Sequence, residues 1–255
     1  MIRTTVNEGV AEILLDAPPV NGLTDALLTE LMETLSKLGG DPGVRAIVLG
    51  SAIPRRFCGG LDLPQFLKGT PSEAYAIVNK LYYQLYELQS SLPKPVIAAI
   101  SGAVRGGGMS VAITCDMIVA AEDATFGYPE LEVGLLPAIH FAHLPRIVGK
   151  PRAFDLLFTG RVFSAHEAQD LGLVGRVVKT EDVLSEARGL ARVFAAKSPE
   201  LMRLGKAAFV RATDNGYRQN AASAVDLVST VFGTVDGQEG LAAFAEKRKP
   251  KWRGV

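Results

Sequence analysis

Arg56-Phe57-Cys58-Gly59-Gly60-Leu61-Asp62-Leu63, Ser101-Gly102-Ala103-Val104-Arg105-Gly106-Gly107-Gly108-Met109-Ser110 and Thr125-Phe126-Gly127-Tyr128-Pro129-Glu130-Leu131-Glu132-Val133-Gly134 decide how this chain reads. The second stretch sets three glycines between a strand and a helix. Glycines leave backbone N–H groups uncovered by any β-carbon, here at the positive end of a helix dipole, and such a turn receives an anion. The anion is a phosphate or an oxyanion that develops during a reaction. No Lys-Ser/Thr follows the glycines, and their spacing fits neither the P-loop nor the dinucleotide fingerprint. The other role open to the run is close packing of helix on strand.

Outward from these stretches, strands alternate with helices. Ile2–Asn7 and Val10–Asp16 read as strands paired across a turn at Glu8-Gly9. Thr24 caps a helix with Leu27, Leu28, Leu31, Met32, Leu35 and Leu38 at helical spacing, ending at Gly39-Gly40. Arg45–Gly50 is a buried strand, Ser72–Leu92 a helix stopped by Pro93 and Pro95, and Val96–Val104 a second buried strand. Gly106–Cys115 is a helix and Met117–Ala121 a further strand. This alternation predicts an α/β core with largely parallel sheets. From about Gly149 the chain turns helical: Lys150–Thr159, Ser164–Leu171, Asp182–Ala196, Pro199–Thr213 and Ala221–Lys247, broken by the strand-like Gly175–Lys179. Val225, Leu227, Val228, Val231, Phe232, Leu241 and Phe244 look uncovered there, which predicts a homo-oligomer unless that stripe packs on its own core.

The 255 residues, 48% hydrophobic and 21% charged, suit one large globular domain or a domain with an appendage. Lys+Arg and Asp+Glu balance at 27 each, so no overall field recruits nucleic acid or an anionic membrane. The two cysteines, Cys58 and Cys115, form no disulfide framework. Met1-Ile2-Arg3-Thr4-Thr5-Val6 leads straight into a strand, and the longest apolar run is far short of the roughly 20 residues of a spanning helix. The expectation is a cytoplasmic protein without a metal.

Taken together, the three stretches resemble the crotonase (enoyl-CoA hydratase/isomerase) superfamily, in order and spacing through about Lys179 and more loosely beyond. The resemblance implies a spiral of ββα repeats over residues 1–196, with a helical segment at 197–255 for assembly as a trimer or a dimer of trimers. It implies an acyl-CoA thioester as ligand and no cofactor beyond its CoA moiety. Its F-x-x-G-x-D-[LI] turn puts one oxyanion-hole N–H on Gly59 and its glycine triplet the other on Gly107. CoA is expected along Arg55, Phe57, Cys58, Asp62, Leu63 and Phe66. The acyl pocket is expected around Leu61, Met109, Ser110, Leu136, Pro137, His140 and Phe141.

Hydratases of the family carry two glutamates, and this chain has Ser110 at the first position and Glu130 at the second. A serine holds water but is a poor base. One carboxylate suffices to move a double bond from the 3,4 to the 2,3 position, taking a proton from C2 and returning it to C4. The nearest likeness is accordingly to the monofunctional 3,2-trans-enoyl-CoA isomerases, which share Pro18-Pro19-Val20-Asn21, Gly60-Leu61-Asp62-Leu63 and Ala112-Ile113-Thr114-Cys115-Asp116. A hydratase, or a feruloyl-CoA hydratase-lyase type pairing serine with glutamate, is the alternative; the latter needs a dedicated tyrosine, for which Tyr217 and Tyr75 are candidates.

Other residues suggest other chemistry. Gly108-Met109-Ser110-Val111-Ala112 nearly spells a nucleophile elbow, and with His140 or His143 as base it would make a serine-type acyl-CoA hydrolase. Cys58 lacks a nearby histidine and reads as packing. Glu132, two residues beyond Glu130 on an extended segment, would face solvent. Asp62 and Asp116 read as turn or cap residues. The basic tail Lys247–Arg253 is a solvated end or a contact for CoA phosphates or nucleic acid.

Overall fold

The computed structural model describes residues 1–213 and 216–254. Strands β1 (Ile2–Asn7) and β2 (Val10–Leu15) pair antiparallel across Glu8 and Gly9, both at positive φ. Helix α1 (Asp25–Gly40) begins where Thr24 Oγ1 accepts the Leu27 N–H at 3.1 Å, and its leucine stripe is buried.

From there the chain winds as a spiral. It passes from β3 (Ala46–Ser51) to β4 (Arg56–Cys58), returning through helices α2 (Leu63–Lys68), α3 (Pro71–Asn79) and α4 (Leu85–Ser91). The next turn runs β5 (Val96–Ile100), β6 (Ala103–Arg105) and helix α5 (Gly107–Ile113), and the third starts with β7 (Met117–Ala121) and β8 (Thr125–Gly127). A 3-10 turn (Pro129–Val133) follows, then helices α6 (His140–Val148) and α7 (Lys150–Thr159), strand β9 (Phe163–Ser164), helix α8 (Ala165–Asp170) and strand β10 (Arg176–Val178). The first strand of each turn joins a six-stranded sheet ordered β1-β2-β3-β5-β7-β10, and the second joins a four-stranded sheet ordered β4-β6-β8-β9. Apart from β1 and β9 all pairings are parallel. Helix α9 (Val183–Ala195) lies across β3, β5 and β7. Covered on both faces, β5 is buried along its whole length, as a central parallel strand requires.

Three expectations need correction. The strand expected over Val96–Val104 is two strands in different sheets, because the chain breaks at Gly102. A β-carbon there would lie 1.9 Å from the Arg55 carbonyl carbon, so only glycine lets the strand cross. The helix expected over Ser72–Leu92 contains a π-helical turn, Lys80–Gln84, closed by the Leu85 N–H on the Lys80 carbonyl. The helix expected over Ala221–Lys247 is α11 (Tyr217–Phe232) and α12 (Val235–Ala245), split at Gly233, with Thr234 Oγ1 capping the second.

Covering of the apolar tail also differs. Val225, Val228, Phe232 and Leu241 are buried on their own core, with Phe232 edge-on to Phe66 at 5.0 Å. Leu227 and Phe244 are exposed as expected, and a further uncovered face belongs to α10 (Pro199–Thr213), where no residue is buried and Leu201 and Phe209 are both 70% exposed. Residues 197–255 thus combine a helix without a buried residue, tied to the core by Lys206 on Asp116 at 2.6 Å, with two that complete the core; 214, 215 and 255 lie outside the described residues. Among those described, no helix is long and apolar enough to cross a membrane.

Gly102→Ala should cost about 1–3 kcal/mol or more, because the clash is with backbone and cannot be relieved by a rotamer. Gly40→Ala, which meets nothing within 4 Å, should leave stability unchanged or raise it by up to about 1 kcal/mol. Denaturant midpoints of the two variants check the contrast.

Candidate active site

The turn after β4 is held by Asn21. Its side-chain oxygen accepts the Ala17 N–H at 2.8 Å, and its amide donates to Ser51 Oγ and to the Phe57 carbonyl, each at 2.8 Å. Asn21 is fully buried at φ +54, a left-handed conformation asparagine tolerates. Beyond it, Leu23 donates to the Gly60 carbonyl and Asp62 donates to the Leu23 carbonyl. That ladder uses the groups on either side of Leu61 and leaves the Leu61 N–H turned away from it.

The glycine triplet meets this turn at close range. A β-carbon on Gly108 would lie 2.5 Å from the Cys58 carbonyl oxygen. One on Gly60, at φ +92, would lie 2.9 Å from the Arg105 oxygen and 3.1 Å from the Gly107 nitrogen, and one on Gly107 would lie 3.4 Å from the Leu61 nitrogen. Glycine at these positions lets two backbone N–H groups, of Leu61 and Gly107, come side by side. Neither donates to a backbone carbonyl among the described residues. The N–H of Gly59 does, to the Val20 carbonyl at 2.8 Å. The donor expected at Gly59 is therefore occupied, and Leu61 supplies the free one.

These groups open on a cavity of about 610 Å³, lined by Gly60, Leu61 and Gly107 together with Glu130, Val133, Leu135 and Leu136. Helices α11 and α12 close it with Val228 and Phe244. Glu130 sits on the 3-10 turn, 9% exposed, and its Oε2 has no hydrogen-bond partner among the described residues. A β-carbon on Gly106 would touch its Oε1 at 3.4 Å. Burial pushes its carboxyl up to about 7, opposed in part by its own backbone N–H. Arg105 lines the same cavity but spends its guanidinium on the Val104 and Thr125 carbonyls, at 2.8 and 2.7 Å, and on Thr125 Oγ1. An apolar cavity with two free amide donors and a carboxyl that titrates near neutrality can polarise a carbonyl and move a proton beside it.

The remaining expected residues divide. Leu61 and Leu136 line this cavity, as do Asp62 and Leu63, and Asp62 also caps α2 through the Gln65 N–H at 3.0 Å. Met109, Ser110, Pro137, His140 and Phe141 do not line it. Met109 and Pro137 are buried in the core, and Phe141 stacks on Phe158 at 5.7 Å. Of the expected CoA contacts, Phe57 and Cys58 have no exposed surface, Phe66 packs on Phe232, and Arg55 points outward to Asp123 at 3.5 Å. The Cys58 thiol donates to the Asn21 carbonyl at 3.1 Å, and burial pushes it up to about 12, so it is no nucleophile.

Ser110 lies one turn further along α5 than Gly107, 2% exposed, with Oγ 3.3 Å from His140 Nε2. The other ring nitrogen, His140 Nδ1, faces His143 Nε2 at 3.5 Å and not a carboxylate. Burial holds His140 well below the ordinary histidine range and brings His143 down to about 4. A buried serine backed by two neutral histidines lacks the orienting acid and the access that a serine hydrolase needs. The 3-10 turn also changes Glu132: it is exposed, as expected, yet it lines the rim of the cavity. Tyr217 stacks on Tyr86 at 3.8 Å beside a separate groove under α10, and Tyr75 is exposed on α3. The tyrosine in the Glu130 cavity is Tyr82, which the helical pattern of Ser72–Leu92 conceals among apolar neighbours. The basic tail folds onto α12, where Arg248 pairs with Glu239 at 2.6 Å and the Arg253 N–H donates to Asp236 at 2.7 Å.

Glu130 ties stability to pH with a definite sign. Its folded value, about 7, lies above its ordinary 4.5, so its contribution is fully present below pH 4.5 and is lost as pH rises through 7, by about 3 kcal/mol in all. Glu130→Gln should be more stable than the parent at pH 8, with the gap closing toward pH 4.5. Melting curves that run parallel from pH 5 to 8 would contradict this.

A family model described as enoyl-CoA hydratase/isomerase matches residues 5–255. The human enoyl-CoA hydratase domain-containing protein 2, mitochondrial, is 36% identical over 254 residues, 97% of this chain and 87% of its own length. The crystal structure of an enoyl-CoA hydratase from Bacillus anthracis is 33% identical with a TM-score of 0.78, covering 100% of this chain and 99% of that one. That of an enoyl-CoA hydratase/isomerase from Pseudoalteromonas atlantica T6c is 27% identical with a TM-score of 0.86, covering 99% of each. Matched along nearly its whole length in sequence and in fold, the chain belongs to the enoyl-CoA hydratase/isomerase family.

Proposed function

We propose that the protein moves protons on an acyl-CoA thioester and that its principal reaction is Δ3–Δ2 enoyl-CoA isomerisation. The observation that carries this reading is the pairing of one buried carboxyl, Glu130, with two free backbone N–H groups, while Ser110 is turned into the core. The thioester oxygen accepts from Leu61 and Gly107, each donor worth ~2.7–4 kcal/mol in the transition state. The Glu130 carboxylate takes a proton from C2, the electron pair spreads over the thioester and the C3–C4 double bond as a dienolate, and the carboxyl returns the proton to C4. The double bond then lies between C2 and C3, and no atom is gained or lost.

Hydration is the second reading, because the human and Bacillus anthracis relatives carry hydratase names. It needs a group to hold water while Glu130 protonates C2. Glu132, at the cavity rim, is the carboxylate placed for that task. Offering 3-enoyl-CoA and 2-enoyl-CoA to the parent and to Glu130→Gln separates the readings. Isomerisation should dominate, rise with pH through about 7, and fall about 10²–10⁴-fold in the variant. Faster hydration than isomerisation, abolished by Glu132→Gln, would favour the second reading.

The open face of α10 is the proposed contact for a trimer or a dimer of trimers. Leu201→Glu with Phe209→Glu should reduce the mass measured by light scattering to that of one chain. A parent already of that mass would dismiss the assembly.

A further inference from the structure

Among the described residues of the cavity wall, Tyr82 alone carries a hydroxyl. The residue is 5% exposed, and its hydroxyl makes no hydrogen bond within the described protein. The Tyr128 hydroxyl is sealed away from any surface, whereas Tyr82 lines the cavity. Burial, reinforced by the nearby charge of Glu130, holds the Tyr82 phenol far above the usual tyrosine range. It therefore stays protonated and can only be satisfied as a donor by an acceptor that enters the cavity.

The backbone supports that placement. Tyr82 lies in the π-helical turn Lys80–Gln84, and such turns, which cost regular helical bonding, recur at functional sites. Its neighbour Leu81 packs beneath Gly107, where a β-carbon would meet Leu81 Cδ2 at 3.0 Å. Consecutive side chains of one turn thus support a backbone donor and line the space beside the base.

Resting on the reading of Glu130 as the proton-transfer group, we propose that Tyr82 sets specificity by donating a hydrogen bond to an oxygen on the acyl group at or just beyond C4. The preferred substrates are then oxygenated acyl-CoA thioesters, not plain hydrocarbon chains. A buried donor left unpaired by a hydrocarbon chain disfavours that chain, by about 10- to 100-fold.

The test follows exchange of the α-protons for deuterium in D2O, with hexanoyl-CoA and its isosteric ether 4-methoxybutanoyl-CoA. The parent should exchange the ether with a kcat/KM about 10- to 100-fold higher, and Tyr82→Phe should bring the two within about twofold. Equal rates in the parent, or a preference that survives in Tyr82→Phe, would overturn the proposal. Absence of exchange with both thioesters would instead count against the proton-transfer reading. Dissociation constants of the same pair for parent and Tyr82→Phe then decide the role of Tyr82 on their own, since a lost preference supports it and a retained one refutes it.

Discussion

The site depends on one steric constraint, the contact between the turn after β4 and the start of α5. Two backbone segments approach so closely at Gly60, Gly107 and Gly108 that a β-carbon at Gly108 would sit 2.5 Å from the Cys58 oxygen. Most other features serve that contact. Asn21 fixes the turn through three hydrogen bonds, Leu81 fills the space beneath Gly107, and β4 and β6 pair in parallel to bring both segments to the same edge. The result is a pair of N–H groups with no backbone partner among the described residues, held by close-packed backbone and side chains. Donors fixed before the reaction need no reorganisation when charge develops, which is why such sites act strongly on a carbonyl oxygen.

The second feature is a carboxyl kept from water. Among the described residues no cation pairs with Glu130: of the two arginines on the cavity wall, Arg105 is spent on backbone carbonyls and Arg248 on Glu239. Its raised value is the cost of burial, and it matches the working range of the proposed proton shuttle. The same residue weakens the fold as pH rises from 4.5 through 7, so stability and the proposed chemistry oppose each other at one side chain. Helices α11 and α12 complete its apolar surround, and α12 rests on the turn after Glu130, where Gly240 approaches Gly134 too closely for any side chain.

Much of this was legible in the sequence, and the limits are physical. The apolar periodicity of α1, the β-branched runs of β3 and β5 and the order of the glycine turns placed the core and the family. Short strands such as β4 and β8 carry too few residues for a period and become visible only through their partners. The shift of the free donor from Gly59 to Leu61 depends on which N–H the Val20 carbonyl takes, and no local pattern encodes that. The resemblance puts Ser110 where a family glutamate is expected, but its contact with His140, thirty residues away, and its absence from the cavity wall are not written in the local sequence. Tyr82 reads as one more apolar-face residue until the π turn is seen to aim it inward.

Polarisation of the thioester by the two amide donors can be read directly from the infrared spectrum of a bound acyl-CoA labelled with carbon-13 at the thioester carbonyl. The carbonyl stretch should move to lower frequency on binding and keep that shift in Glu130→Gln, because the proposed donors belong to the backbone of Leu61 and Gly107. A bound thioester whose carbonyl stretch matches that in water would contradict it.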